Sequence, residues 1–212
     1  RSAMRNSWMN WRAVAAAAVL LCGVSWSSSS QAADANKKYK IEGAGVLSCE
    51  QYLEARKQKS PLYYRLGGWL NGYMTAVNRY LPDTYALASW QSIDLLLASV
   101  AAKCQENSKL SFHNVAQLLV GYLYASRLQE ISPRLVATRG EKKAVVYRAI
   151  LMKAQQQLSD GGFYGGAING EYDNETGEAL LSYQGSKGLS ETGLPDQRTL
   201  GTMFSKKTLP AK

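Results

Sequence analysis

Apolar residues recur every three or four positions through most of the chain downstream of residue 47, which is the spacing of amphipathic helices. The clearest stripe runs from Leu62 to Val77 and predicts a long helix that ends before Pro82-Asp83. Capping signals precede four such segments: Ser48 with Gln51, Ser60-Pro61, Ser92 and Ser111. The pattern therefore predicts four helices within residues 48–130.

A second set of shorter periodic segments begins after residue 144. The first keeps helical spacing up to about Ser159, before Gly161-Gly162, with apolar positions Val145, Val146, Ala149, Met152 and Leu158. Two further helices are predicted over residues 175–184 and from Pro195-Asp196 to residue 204. No internal repeat is apparent.

A polar segment with one proline and one glycine separates the two sets of helices. The predicted fold class is therefore all-α, with a four-helix N-terminal domain and a three-helix C-terminal bundle. The predicted boundaries are a flexible lead-in over 34–47, the first domain over 48–131, a basic linker over 132–144, the second domain over 145–205 and a basic tail over 206–212.

The N-terminal residues have the composition of a secretory signal peptide. A basic start downstream of Met4 is followed by an apolar run over residues 13–24 and small residues up to Ala33. The run is too short to cross a bilayer, which takes about 20 residues. We expect a signal peptide over residues 1–33, with 1–3 set aside as an expression scar or upstream read-through, and a periplasmic or envelope location. Leu21 precedes Cys22 where a lipobox needs a small residue, so lipidation of Cys22 is not expected.

Export leaves two cysteines, Cys49 and Cys104, and an even number in an exported chain favours a disulfide. The loop of about 56 residues would stabilise the fold by roughly 4 kcal/mol through chain entropy. The alternative is two buried free thiols.

Charge is unevenly distributed in a chain that has 25 basic and 16 acidic residues and a formal charge of +9. Residues 132–144 carry four basic residues and one acidic one, whereas residues 145–205 carry four basic and seven acidic ones. Because we expect the protein in the periplasm or envelope, we do not expect these basic residues to bind nucleic acid. The mature chain is expected to lack a transmembrane segment, and no cofactor or metal is predicted.

Candidate catalytic groups are few. The only histidine, His113, lies near a helix start and is expected on the surface. The Ser-x-x-Lys motif of penicillin-binding enzymes is missing, and a zinc site would need more histidines or acidic ligands. A glycosidase would need two carboxylates, and Glu50, Glu54 or Glu106 could supply them, although all three lie on polar helix faces. The sequence therefore predicts a protein that is not an enzyme.

The segment from residue 155 to 204 carries a recognisable motif. It reads Gln155-x-x-Leu158, Gly162-Phe163-Tyr164-x-Gly166, Ile168-Asn169-Gly170-x-Tyr172, Thr176, Ala179-Leu180, Tyr183-Gln184, Gly188-Leu189, Thr192-Gly193, Pro195-Asp196, Thr199-Leu200 and Met203. This order and spacing resembles the peptidoglycan-binding-like domain, and the resemblance implies a three-helix module that binds a wall glycan. Asp173 stands where that family usually has glycine, and we expect it to accept a left-handed turn.

Sugars are bound by aromatic faces and amide hydrogen bonds, and the module offers both near its glycine-rich turn. The predicted peptidoglycan-binding residues are Tyr164, Asn169, Gly170, Tyr172, Asn174 and Gln184. For Tyr164 and Tyr172, a place in the core is an equal alternative.

The first domain has two resemblances of its own. One is carried by Ser48-Cys49-Glu50-x-Tyr52-Leu53, Cys104, Phe112 and Val115, and the other by Gly68-Trp69-x-x-Gly72-Tyr73 and Asn78, in the order of the two families that follow. Residues 45–128 look like HdeA-type periplasmic acid-stress chaperones and are similar to Tai-type immunity proteins of type VI secretion. The predicted function is an exported, non-catalytic envelope protein that binds peptidoglycan and presents its first domain to a periplasmic protein. The alternatives are an immunity protein or acid-stress chaperone, and then a wall hydrolase.

Overall fold

A computed structural model describes residues 33–204, and the predictions on the signal peptide, Cys22 and the tail over 206–212 lie outside this part. The described chain is mostly helical, as predicted. It forms a short 3-10 helix (Gly43–Val46), four helices, a two-stranded hairpin and three more helices. Residues 33–40 belong to a separate unit, in which the Asp34 carboxylate accepts hydrogen bonds from the backbone N–H groups of Asn36 and Lys38.

The N-terminal helices begin where the capping signals predict. They are α1 (Cys49–Gln58), α2 (Pro61–Tyr80), α3 (Ile93–Glu106) and α4 (Phe112–Tyr124). Ser48 and Gln51 form the predicted capping box, and Ser92 and Ser111 each accept a backbone N–H of the first turn. Local sequence therefore decides where these helices start.

The core of this region is apolar and is closed by a disulfide. Cys49 and Cys104 are bonded to each other with a Cα–Cα distance of 5.0 Å, which confirms the predicted pair and joins α1 to α3. Tyr52 is fully buried, and its hydroxyl donates to the Leu97 carbonyl at 2.6 Å. The largest buried apolar side chains around it are Leu66, Leu70, Leu87, Phe112 and Leu123.

His113 is buried rather than on the surface, so this expectation was wrong. Its side chain is 4% exposed, and its ring meets those of Trp69 and Tyr73 edge to face. The predicted start of α4 is correct, but His113, the second residue of this helix, lies on the side that faces the core. The Trp69 ring also covers the 3-10 helix, since a Cβ on Gly45 would lie 2.2 Å from it.

The segment expected as a linker forms an antiparallel hairpin of β1 (Arg134–Arg139) and β2 (Lys142–Tyr147). Gly140 makes the turn with a positive φ of 58°. Val145 and Val146 belong to β2 and not to the next helix, which corrects that prediction. Their β-branched side chains suit a strand, in which Val146 faces inward and Val145 outward.

Three helices follow the hairpin: α5 (Arg148–Asp160), α6 (Asn174–Ser186) and α7 (Gln197–Phe204). They match the three predicted helices, with the start of α5 moved to Arg148 by the hairpin. No helix in the described part of the chain is long and apolar enough to cross a membrane.

The loop between α2 and α3 packs against the hairpin, α5 and α7. Ala86 pairs with Leu128 in an isolated β-bridge, and both join one buried apolar cluster. The other buried members of this cluster are Val146, Ile150, Leu151, Ala154 and Leu200. Residues from both predicted domains thus share a core, which the sequence pattern did not indicate.

Candidate functional site

A buried glutamine of α5 holds the glycine-rich loop that precedes α6. The Gln155 side-chain oxygen accepts from the N–H groups of Asn169 at 3.1 Å and Gly170 at 2.8 Å. Its amide nitrogen donates to the Glu171 carbonyl at 3.0 Å and to Thr176 Oγ1 at 3.1 Å. Because all these groups form hydrogen bonds with one side chain, the loop is held in one conformation.

Gly170 cannot be replaced without strain at the centre of this loop. Its φ is +71°, and an added Cβ would lie 2.7 Å from the Arg148 carbonyl oxygen. Gly170, predicted to bind the ligand, therefore also has a structural reason to be glycine.

A second buried glutamine, Gln184 of α6, does the same for the loop that precedes α7. Its oxygen accepts from the Gly193 N–H at 2.8 Å, and Gly193 has a φ of +66°. Its nitrogen donates to the Leu194 carbonyl at 3.1 Å, Thr199 Oγ1 at 2.8 Å and Thr192 Oγ1 at 3.0 Å. Gln184 is fully buried, so its polar atoms are committed to the protein interior.

The two loops are copies of one pattern, Gly-x-x-Asp-x-x-Thr, which corrects the view that the sequence has no internal repeat. It occurs at Gly170, Asp173 and Thr176, and again at Gly193, Asp196 and Thr199. In each copy the aspartate accepts the backbone N–H of the threonine, at 2.7 Å and 2.9 Å, and the threonine hydroxyl accepts from the buried glutamine. The repeat is visible in the sequence, but its structural role is not, because the glutamines that bind the two loops lie 15 and 9 residues before the glycines.

Asp173 is the helix cap of α6 and has an extended backbone, with a φ of −119°. The expected left-handed turn at this residue was therefore wrong, because Gly170 already supplies the positive φ. Hydrogen bonds from the Thr176 backbone N–H and side chain lower the pKa of the Asp173 carboxyl. The carboxylate also suits the positive end of the helix dipole.

Of the predicted site residues, the side chains of Tyr164 and Gln184 are buried, as is the backbone of Gly170. Tyr164 is 5% exposed, and its hydroxyl donates to the Ala167 carbonyl at 2.9 Å. The structure gives both residues an internal role, and their assignment to ligand binding stays a prediction. Asn174 lies at the opposite extreme, exposed as the first residue of α6.

Two other predicted residues, Gly170 and Tyr172, line a groove of about 350 Å³ between β1 and the glycine-rich loop. Asn169 lies beside the groove, where its carbonyl accepts from Arg148 Nε at 3.0 Å. Arg148 also donates to Glu171 at 3.0 Å, and both side chains remain well exposed. The lining residues are Pro133, Leu135, Val136, Arg148, Gly170, Glu171 and Tyr172. We name this set the loop groove.

Arg139 fixes the hairpin wall of the loop groove against α6. Its guanidinium donates to Glu178 at 2.6 Å and lies where Gly177 has no side chain. The Tyr172 hydroxyl donates to the Gly193 carbonyl at 2.7 Å, which ties the two loops together. Burial raises the pKa of Tyr172, and the neighbouring Arg139 opposes this shift. Neither arginine was predicted as a site residue: Arg139 lies in the segment expected to be an irregular linker, and Arg148 lies at the start of a helix whose neighbours in space the sequence does not show.

The candidate carboxylates Glu50, Glu54 and Glu106 lie on exposed helix faces. Glu54 accepts from Gln58 at 2.5 Å, and Glu106 pairs with Lys103 at 2.5 Å. Within residues 33–204, no group of histidine, cysteine and acidic side chains is arranged to hold a metal ion.

Comparison with known proteins identifies one segment of the chain. Residues 148–203 match the model of the family described as "Putative peptidoglycan binding domain". No curated protein and no solved structure matches the chain. The resemblance of residues 45–128 to HdeA-type chaperones and Tai-type immunity proteins has no support here. The helices α5 to α7 with their two glutamine-held loops are thus a peptidoglycan-binding-like domain.

Proposed function

We propose that this protein is exported to the cell envelope and binds peptidoglycan through the loop groove. The observation that carries the proposal is the family match over residues 148–203, combined with a groove at the loop that Gln155 holds in place. A groove whose walls are fixed before binding loses little conformational entropy when a ligand enters.

The chemistry of the loop groove suits a sugar chain with polar substituents. Tyr172 and Val136 offer apolar surface for the C–H faces of a sugar ring, and Val136 is 57% exposed. Arg148 and Glu171 offer a donor and an acceptor at the edge of the same groove. The proposal thus keeps Asn169, Gly170 and Tyr172 from the sequence prediction and adds Arg148.

The N-terminal helices would present a surface to a second protein in the same compartment. Tyr64 and Tyr80 on α2 are 65% and 74% exposed, and tyrosine is favoured at protein interfaces. In this proposal the protein is an adaptor without catalytic activity, and the wall domain sets where it acts.

The test is co-sedimentation of the exported protein with purified peptidoglycan sacculi. The wild type is expected in the pellet, and Arg148→Gln is expected to weaken binding about tenfold, because it removes a charged hydrogen-bond donor from the groove. Arg198→Gln is the matched control, since Arg198 is exposed on α7 of the same domain.

Two results would overturn the proposal. The first is a wild-type protein that stays in the supernatant with sacculi in excess. The second is equal binding by the Arg148→Gln and Arg198→Gln variants and the wild type, which would move the site away from the loop groove.

A further inference from the structure

A second concave site lies where the N-terminal helical region meets the hairpin and α7. It has a volume of about 310 Å³, at the lower end of the range for small-ligand sites. It is separate from the loop groove and shares no lining residue with it. Its lining residues are Ala88, Ser89, Trp90, Gln91, Ser92, Arg134, Val145, Val146, Tyr147, Gln197 and Leu200. We name it the junction cleft.

Hydrogen bonds across the junction hold the walls of this cleft together. The Gln197 side-chain oxygen accepts from the Ser92 N–H at 2.7 Å, and its nitrogen donates to the Trp90 carbonyl. Val146 and Leu200 are 4% and 1% exposed and close the cleft from below. The cleft is therefore preformed and not an opening between loosely packed parts.

The side chains that line the cleft combine aromatic rings with a cation. Trp90 and Tyr147 are both partly exposed, and the Arg134 guanidinium lies 5.9 Å from the centre of the Tyr147 ring. No carboxylate within residues 33–204 forms an ion pair with Arg134. An aromatic face binds a sugar ring, and an exposed guanidinium binds a carboxylate in a two-pronged contact.

The charge of the hairpin favours an anion. Arg134 lies at its cleft end, Lys142 and Lys143 lie beside its turn, and residues 132–144 carry four basic residues and one acidic one. The peptidoglycan-binding-like domain beside it has an acidic excess, with four basic and seven acidic residues over 145–205. An anionic group on a wall polymer would therefore be drawn to the hairpin side of the molecule.

We propose that the junction cleft is a second saccharide site that takes a sugar residue bearing a carboxylate. This proposal rests on the proposed function in one respect only. It assumes that the sugar belongs to the same peptidoglycan strand that the loop groove binds. Two sites on one strand would raise the overall affinity by making the second contact intramolecular.

The experiment uses a matched pair of sugars on the purified exported protein. N-acetylmuramic acid and N-acetylglucosamine differ by the lactyl carboxylate that the proposal requires. Downstream of residue 33 the chain has two tryptophans, Trp69 and Trp90, so a proton–nitrogen NMR spectrum reports the cleft through the Trp90 indole signal.

The expected result is that N-acetylmuramic acid shifts the Trp90 indole signal and binds about tenfold more tightly than N-acetylglucosamine. Arg134→Gln should remove this preference for the acidic sugar, and Lys142→Gln, at the far end of the hairpin, should retain it. Val145→Glu adds a negative charge at an exposed position of the cleft and should weaken binding without affecting the fold.

The proposal is overturned if the acidic sugar leaves the Trp90 signal in place, or if Arg134→Gln keeps the preference. Co-sedimentation with sacculi decides the proposed function separately. Pelleting that depends on Arg148, with no response at Trp90, would refute the junction cleft alone. A response at Trp90 in a protein that does not pellet would refute the wall-binding function and leave the cleft standing.

Discussion

The two helical regions of this protein are held together by different forces. The N-terminal region closes an apolar core around Tyr52, Leu66 and Phe112 and bonds Cys49 to Cys104. The peptidoglycan-binding-like domain has a smaller apolar cluster and relies on Gln155 and Gln184, whose side chains bind the backbone of two loops. One region depends on apolar burial and a covalent bond, and the other on buried hydrogen-bond networks.

The region held by the buried networks is the one that matches a known family. An apolar core accepts many combinations of residues with similar volume, so its sequence keeps few fixed positions. A buried network accepts only side chains with the right donors and acceptors, as at Gln184 and Thr199. The family match covers residues 148–203, the segment that contains both buried glutamines and the loops they hold.

The largest effect is expected from removing the disulfide, which tests how far the N-terminal region depends on this covalent bond. Replacing Cys49 and Cys104 by alanine should lower the free energy of unfolding by about 4 kcal/mol, because the unfolded chain regains the freedom of a long loop. Urea unfolding followed by amide hydrogen exchange would measure the effect by region. Faster exchange in α1 and α3 with an unchanged α6 is expected, and an equal loss in α6 would contradict the comparison.

The contribution of the buried hydrogen-bond network is tested by replacing Gln184. Gln184→Leu keeps the volume but leaves the Gly193 N–H and the Leu194 carbonyl buried without this partner, which should cost about 3 kcal/mol. Thermal unfolding of the variant measures the loss. Gln156→Leu is the control, since Gln156 is exposed on the same domain and binds only Asp160 among the described residues. Equal stability of the two variants would show that the network is dispensable.

The smallest expected effect concerns the cap of α6. Asp173→Ala should destabilise the domain by about 1 kcal/mol, the usual contribution of a helix cap. Because the folded-state pKa of Asp173 lies below its ordinary value of 3.8, its contribution is complete above that value and is lost as the pH falls through the lower folded value.

The pH dependence has its own control. Unfolding curves from pH 6 to pH 2 should show a shallower acid decline for Asp173→Asn, which keeps a capping oxygen and cannot titrate. A decline identical to that of the wild type would mean that other carboxylates govern the acid limit.

Local signals predicted more of the fold than of the site. Capping serines placed the starts of three N-terminal helices, since a cap acts over a single turn. The hairpin was missed because Val145 and Val146 fit a helical spacing as well as a strand, and only pairing with β1 decides between them. His113 was misplaced for a similar reason, because a helix start does not tell which side faces the core.

The sequence by itself determined the helices, the cysteine pair and the motif of the peptidoglycan-binding-like domain, because these depend on local spacing or on residue type. Only the tertiary structure decided which residues are available to a ligand. Tyr164 and Gln184 carry the chemistry of a binding site but are buried inside the protein, whereas Arg134 lines its cleft from the hairpin and Arg148 lines its groove from the start of α5. Side-chain exposure depends on packing between segments that are distant along the chain, and no local pattern records it.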